Sequence, residues 1–417
     1  MSENYRQPVS AAVFNYKELP DICTLKRRPH SSLRVKKSDE RPYNACIQIF
    51  FKPMLNIDLF CDVIDNFGDA GVCWRLARLL TKEKGCRVRL FINRPETLQA
   101  LAPNLNSSNL PQTLGNIAVM HWDECLKCIP GDVVIETFGC RLPDEFEKKI
   151  AAKSPQPLWI NLEYLSAEDW VEGCHCLPSP HPSLSVQKYF FFPGVTKKTG
   201  GIMIENDLLT AQNAFEQHRS EFLQNLGLQQ SVFTVFVFCY PEAPLEHFYE
   251  ALSKDAREVN VLIPKSAAAD KWLKLCEDNL PETIHTRVLP MVPQENFDQL
   301  LWCADSLIIR GEDSFVRALL AAKPFIWNIY PQTESTHIKK LKAFASRLTS
   351  SYGELQPLWL EMNIAWNERP EEIPRLWPQW RNSTEELSIC SQSWRNDLLA
   401  IRSLSENLCK FIELKLK

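Results

Sequence analysis

Residues 57–80, IDLFCDVIDNFGDAGVCWRLARLL, constrain the fold more than any other stretch. Ile57, Leu59, Phe60, Val63 and Ile64 form a short β-friendly apolar run, and residues 72–80 carry apolar side chains at helical spacing. The order is strand, loop, helix. The connection Asp65-Asn66-Phe67-Gly68-Asp69-Ala70-Gly71 places two glycines and two carboxylates at the strand's carboxyl end, the edge at which open α/β sheets bind ligands. An ordinary turn in which Asp65 or Asp69 caps the helix would use the same residues.

The alternation continues along the chain. Strands are expected at 88–92, 117–120, 133–137 and 158–162, with helices at 95–101 and 143–152, which argues for a parallel sheet covered on both faces. Residues 163–193, rich in Pro, His and aromatics, read as an irregular excursion, and 194–201 as the approach to a linker. A second α/β series follows, with helices at 207–226 and 245–254 and strands at 232–238, 259–263, 288–292 and 306–309. The end of the chain, 383–417, reads as one or two amphipathic helices, with Trp377, Trp380 and Trp394 packing against the body.

A length of 417 residues suits two domains of about 150 residues or more. The expected division is 54–201 and 202–382, two Rossmann-like doubly wound domains facing a cleft, then 383–417 folding back. Residues 1–53 look foreign to the rest. Lys26, Arg27, Arg28, Arg34, Lys36, Lys37 and Arg41 stand among prolines and serines, a composition that predicts a solvated, disordered basic extension, and Met54 is a candidate start of translation.

Charge and cysteine content narrow the function. A net charge of -4 offers no nucleic-acid surface, and no run of about 18 apolar residues suggests a membrane span. Fifteen cysteines in no recognisable framework point to a reducing cytoplasm. Cys125-x-x-Cys128 and Cys174-His175-Cys176 contain one C-x-x-C knuckle where a structural zinc site normally shows two, so they read as thiols and no metal is expected.

A second stretch matches the first. In 304–331, ADSLIIRGEDSFVRALLAAKPFIWNIYP, a strand ends at Arg310, a turn holds Gly311-Glu312-Asp313, and Ser314 opens a helix. Such a helix N-terminus has unpaired N–H groups and a positive dipole end suited to a diphosphate, and Arg310 adds a forked cation. Glu312 and Asp313 would repel phosphate unless their side chains turn away. Plain capping by Asp313 or Ser314 is the alternative. Two polar βα loops, one per half, describe the build of a GT-B type glycosyltransferase.

The words DNFGDAGVCWRLARLL, INLEYLSAEDWV, FFFPGVTKKTGG, MVPQENFDQLL, RGEDSFVRA and KPFIWNIYPQ, in order from about residue 57 to the C-terminus, closely resemble the EarP family. Members are bacterial enzymes that rhamnosylate an arginine of translation elongation factor P. The resemblance implies a cytoplasmic inverting transferase that takes rhamnose from dTDP-β-L-rhamnose, supports ribosomes stalled at polyproline and needs no cofactor. It further implies an acceptor site on the first domain and a nucleotide-sugar site on the second. Residue by residue, Asp69 matches the family's general base, and Asp65, Asn66, Phe67 and Gly68 line the same loop. Donor-binding positions fall on Gln294, Glu295, Asn296 and Phe297, and on Arg310, Gly311, Glu312, Asp313 and Ser314, with Glu312 a carboxylate needed for activity. Tyr330 matches an aromatic near the nucleotide, and Tyr240 resembles a domain-opening tyrosine.

These residue types fit that chemistry. A protonated guanidinium has a pKa above about 12 and no free lone pair, so a neighbouring carboxylate must orient it and take a proton as the new bond forms. Phe297 or Tyr330 would stack on thymine or simply pack. Two other functions fit the same residues. A GT-B enzyme with a lipid or small-molecule acceptor would need a membrane-docking patch, which is not seen after Ile57. A catalytically dead binding protein would not need Asp65, Asp69, Glu312 and Arg310.

Overall fold

The structure is a computed structural model that describes residues 54–278, 281–331 and 335–416, so the expectation for residues 1–53 lies outside the described residues. The first sheet contains β1 (Asn56–Cys61), β2 (Arg87–Ile92), β3 (Gln112–Leu114), β4 (Ile117–His121), β5 (Val133–Thr137), β6 (Leu158–Leu162), β7 (Pro178–Pro180) and β8 (Gln187–Phe191), in the order β3-β4-β2-β1-β5-β6-β8-β7. All its pairs are parallel except the short outer strands, β3 on β4 and β7 on β8. In β1, Leu59 and Cys61 enter the apolar layer beneath the first helix, whereas Phe60 enters the opposite layer with Phe91, Phe146 and Trp159. That two-sided burial is why these strands are short and almost wholly apolar.

The second sheet holds β9 (Phe233–Val237), β10 (Val259–Pro264), β11 (Ile284–Leu289), β12 (Ser306–Arg310) and β13 (Phe325–Asn328), all parallel, in the order β11-β10-β9-β12-β13. Each sheet therefore reverses its winding once, at β1/β5 in the first and at β9/β12 in the second. The crevices beyond the carboxyl ends of those pairs are where such sheets bind ligands.

The chain crosses between the halves twice, and the crossings are tied together. Leu404 N–H donates to the Ile202 carbonyl at 2.7 Å, and Asn407 Nδ2 to the Gly200 carbonyl at 3.0 Å. Helix Thr384–Leu399 packs with the second half, while Leu404, Leu408, Phe411 and Ile412 of the last helix enter the first. Trp377, Trp380 and Trp394 are buried.

Several boundaries differ from expectation. Residues 163–193 contain a short helix, Trp170–Cys174, and β7 and β8; β7 is the exposed edge of the sheet and β8 beside it is only partly buried, which goes with their mixed composition. The long helix expected at 207–226 is broken into Leu208–Glu216 and Arg219–Asn225. The strand placed at 288–292 is β11, several residues earlier, because that outermost strand is only partly buried along IHTRVL and lacks an apolar run. The loop expected after β1 is already helical from Asn66, and the second functional helix begins at Glu312 rather than Ser314.

Candidate active site

The Asn66–Lys82 helix accommodates Gly68 because a Cβ there would lie 2.6 Å from Asp65 Oδ2. Asp69 on its first turn reaches back as a cap. Its Oδ2 accepts from the N–H groups of Ile64 and Asp65, both at 2.8 Å, and Oδ1 accepts from the Tyr164 hydroxyl at 3.3 Å. Only 2% of Asp69 is exposed. Burial raises its pKa above the usual carboxylate range, against the two backbone donors, which favour the charged form.

At the second switch point, Gly311 precedes the Glu312–Ala321 helix with φ 69° and ψ -177°, a conformation essentially restricted to glycine. That geometry turns the chain so that the helix N-terminus faces the first sheet. The guanidinium carbon of Arg310 lies 4.8 Å from the ring centres of both Phe238 and Tyr240. The Tyr240 hydroxyl donates to Asp65 Oδ2 at 2.9 Å, joining the two halves across the cleft.

The two corners line one shared cavity. Asp65, Phe67 and Gly68 line it from the first half; Tyr240, Gln294, Phe297, Arg310, Gly311, Glu312, Asp313 and Ser314 line it from the second. Phe238, Pro264, Pro290, Met291, Phe297 and Leu300 supply apolar lining, with Phe238 facing Phe297 edge-on at 5.6 Å. Arg310, over the Phe238 ring, and the helix N-terminus supply the positive charge.

The two carboxylates that would repel phosphate, Glu312 and Asp313, each have a cationic partner. Asp313 accepts a forked pair of bonds from Arg75, Nε to Oδ1 at 2.7 Å and the terminal nitrogen to Oδ2 at 3.1 Å. Gln294 Nε2 donates to the same Oδ2 at 3.1 Å and to the Gly71 carbonyl at 2.7 Å. Arg75 also bonds Glu205, which bonds Arg317, itself paired with Asp298. Glu312 Oε1 accepts from Leu165 N–H at 2.9 Å, and its other oxygen lies 3.7 Å from Lys340 Nζ. Burial raises the Glu312 pKa, against Lys340.

Not every expected residue joins this cavity. Asp69 lies behind it, on the Tyr164 side. Glu295 points to solvent, its side chain 64% exposed and 3.6 Å from Arg78, because on a helix Gln294 and Phe297 share the inward face and the residue between them does not. Asn296 is likewise outside the lining, as is Tyr330, which is half exposed and meets Tyr240 edge to face at 5.6 Å. Residues not foreseen are Arg75, Tyr164, Glu205, Phe238 and Lys340. Cys125, Cys128, Cys174 and Cys176 are free thiols, and among the described residues no three His, Cys, Asp or Glu side chains group as metal ligands. Among the described residues no helix is long and apolar enough to cross a membrane.

Two doubly wound sheets whose carboxyl edges face one cavity define a GT-B type glycosyltransferase. A glycosyltransferase from Rickettsia africae shares the fold, at 13% identity, with a TM-score of 0.51 over 87% of this chain and 98% of that one. The chain belongs to the family of elongation factor P rhamnosyltransferases, EarP, whose sequence profile matches residues 57–413. It is 36% identical to the protein-arginine rhamnosyltransferase of Shewanella oneidensis over 85% of this chain and 97% of that protein. Identity to the Pseudomonas putida protein-arginine rhamnosyltransferase is 39%, over 76% and 91%. A solved structure described as the basis for EarP-mediated arginine glycosylation of translation elongation factor EF-P superposes with a TM-score of 0.58 at 25% identity, over 86% of this chain and 99% of that one. The enzyme is thus a protein-arginine rhamnosyltransferase by family.

Proposed function

We propose that this enzyme moves rhamnose from dTDP-β-L-rhamnose to an arginine of translation elongation factor P in the cytoplasm, with inversion, and so supports ribosomes stalled at polyproline. The observation that carries the reading is the shared cavity, with the Asp65 turn on one side and the Arg310 to Ser314 corner on the other. The nucleoside fits against the apolar lining supplied by Met291, Phe297 and Leu300. The diphosphate meets Arg310 and the first N–H groups of the Glu312 helix, which neutralise charge without a metal.

The acceptor guanidinium approaches from the Asp69 side. Its nitrogen attacks the anomeric carbon, the bond from that carbon to the diphosphate oxygen breaks, dTDP leaves, and the nitrogen's proton passes to Asp69. Oδ1 carries the Tyr164 bond and has lone-pair capacity for a further donor. One displacement turns a β-linked sugar into an α-linked one, with no sugar bound to the enzyme.

The test is to incubate the enzyme with dTDP-rhamnose and purified unmodified elongation factor P, with a chelator of divalent metals present, and to weigh the product. One added deoxyhexose on an arginine is expected; an unchanged mass refutes the reading. For the donor side, Arg310→Ala is expected to weaken dTDP binding about tenfold or more, as loss of a charge-assisted contact does. Calorimetry with dTDP decides it, and unchanged affinity removes Arg310 from the phosphate role.

A further inference from the structure

We propose that Tyr164 and Leu165 form a clasp through which Glu312, at the head of the phosphate-facing helix, sets the position of Asp69, so that Glu312 and Tyr164 act as positioning residues. The inference rests on the transfer reaction above and assigns how its two halves are coupled.

Asp69 Oδ2 is held by two backbone donors, which leaves Oδ1 to face the acceptor. The Tyr164 hydroxyl bonds that oxygen, so where the ring stands decides how Oδ1 is presented. The ring is itself fixed, stacked on Phe138 with centroids 4.2 Å apart and planes 11° from parallel. Phe138 sits just past β5 with φ 59°, a left-handed conformation that a bulky residue keeps only where its surroundings enforce it.

The next residue faces the other way. Leu165 is buried in the core of the second half, and its N–H is the donor to Glu312 Oε1. Two residues on, Arg347 of the second half donates to the Ala167 carbonyl at 3.2 Å and to Asp169 at 2.7 Å. A segment that follows a strand of the first sheet is thereby gripped by the second half, while the side chain at its tip touches the base. Seating a diphosphate on the Glu312 helix and presenting Asp69 then depend on one carboxylate. This also accounts for a buried acid beside the phosphate corner whose oxygens are directed at Leu165 and Lys340.

The groups facing Asp69 are Asp65 on its own turn, Cys61 at the end of β1, Tyr164, and Glu312 from the other half. Of these side chains, the Tyr164 hydroxyl is the one that favours the carboxylate by hydrogen bonding. Without it the Asp69 pKa moves further up, so the acid limb of the kcat profile shifts to higher pH.

Tyr164→Phe keeps the ring and its stacking, and is expected to lower kcat about tenfold, shift the acid limb upward and leave dTDP affinity unchanged. Glu312→Ala is expected to lower kcat comparably, and Glu312→Gln to recover most of that loss, because an amide oxygen still accepts from Leu165 N–H. Circular dichroism establishes that each variant is folded, and a misfolded Glu312→Ala leaves the decision to the conservative Tyr164→Phe variant. Wild-type kcat and an unmoved acid limb in Tyr164→Phe overturn the clasp, as does a folded Glu312→Gln no better than a folded Glu312→Ala. Wild-type enzyme that transfers no deoxyhexose refutes the underlying reaction instead, so the two failures are told apart.

Discussion

Asp69→Asn is expected to bind dTDP as the wild type does and to lose about a hundredfold or more in turnover, the scale of a missing general base. The substitution is conservative where the fold is concerned. An asparagine oxygen can still accept from the N–H groups of Ile64 and Asp65, so the start of the Asn66 helix stays capped. The cavity lining is untouched because Asp69 stands behind it. What disappears is the capacity to accept a proton from an acceptor that has no free lone pair while protonated. Burial raises the wild-type Asp69 pKa, so the carboxylate is lost earlier on acidification than an exposed aspartate would be. The acid limb of kcat therefore lies above the ordinary carboxylate range. Titration calorimetry with dTDP and steady-state kinetics across pH check both parts. Full activity in the variant would remove Asp69 as the base and leave Asp65, whose Oδ2 bonds Tyr240 across the cleft, as the carboxylate to examine.

The parallel strands are legible because burial on both faces makes them mostly apolar, as in VVIET and LWINL, where Glu136, Thr137 and Asn161 are the polar exceptions. Where a strand is only partly buried the signal fades, as in β8 and in the edge strand β11. Gly68 and Gly71 read as loop residues but lie within a helix; at Gly68 glycine serves close approach, since a Cβ there would meet Asp65. The individual site residues came from family resemblance, and the cavity brings most of them together. Their relations had no local signature. Arg75 and Asp313 are 238 positions apart, and nothing around either announces the other. Tyr164 lies in the word INLEYLSAEDWV, yet its contact with Asp69 depends on β6 ending two strands from β1, across β5, which spacing does not encode.

Arg75→Met is expected to cost about 3–5 kcal/mol of stability, the usual penalty for leaving a buried charge without its partner. The pair is closed to water, with side-chain exposures of 3% for Arg75 and 12% for Asp313. Burial opposes the charge on Arg75, but Asp313 and Glu205 more than offset it and raise its pKa. Glu205, partly buried, is held below the usual carboxylate range by Arg317 and Arg75, against the effect of its burial. A depressed carboxylate contributes stability above its unfolded pKa and loses it only as pH falls through the lower folded value, so the network persists through mild acid. Losing Arg75 strands Asp313 with Gln294 alone, at the head of the phosphate-facing helix. Removing both charges should restore much of the lost stability, since Arg75→Met with Asp313→Leu leaves no uncompensated ion at that contact while Glu205 keeps Arg317. Turnover should not return with it. The fork from Arg75 is what holds the Asn66 helix against the Glu312 helix, and two apolar side chains pack without fixing that angle. Urea denaturation of the single and double variants, read beside kcat, separates the two consequences. A single variant losing less than about 1 kcal/mol would mean the pair behaves as a solvent-screened surface contact. A double variant with wild-type turnover would mean the remaining contacts between the halves, among them those of Tyr240, Gln294, Glu312 and Arg347, align them without the fork.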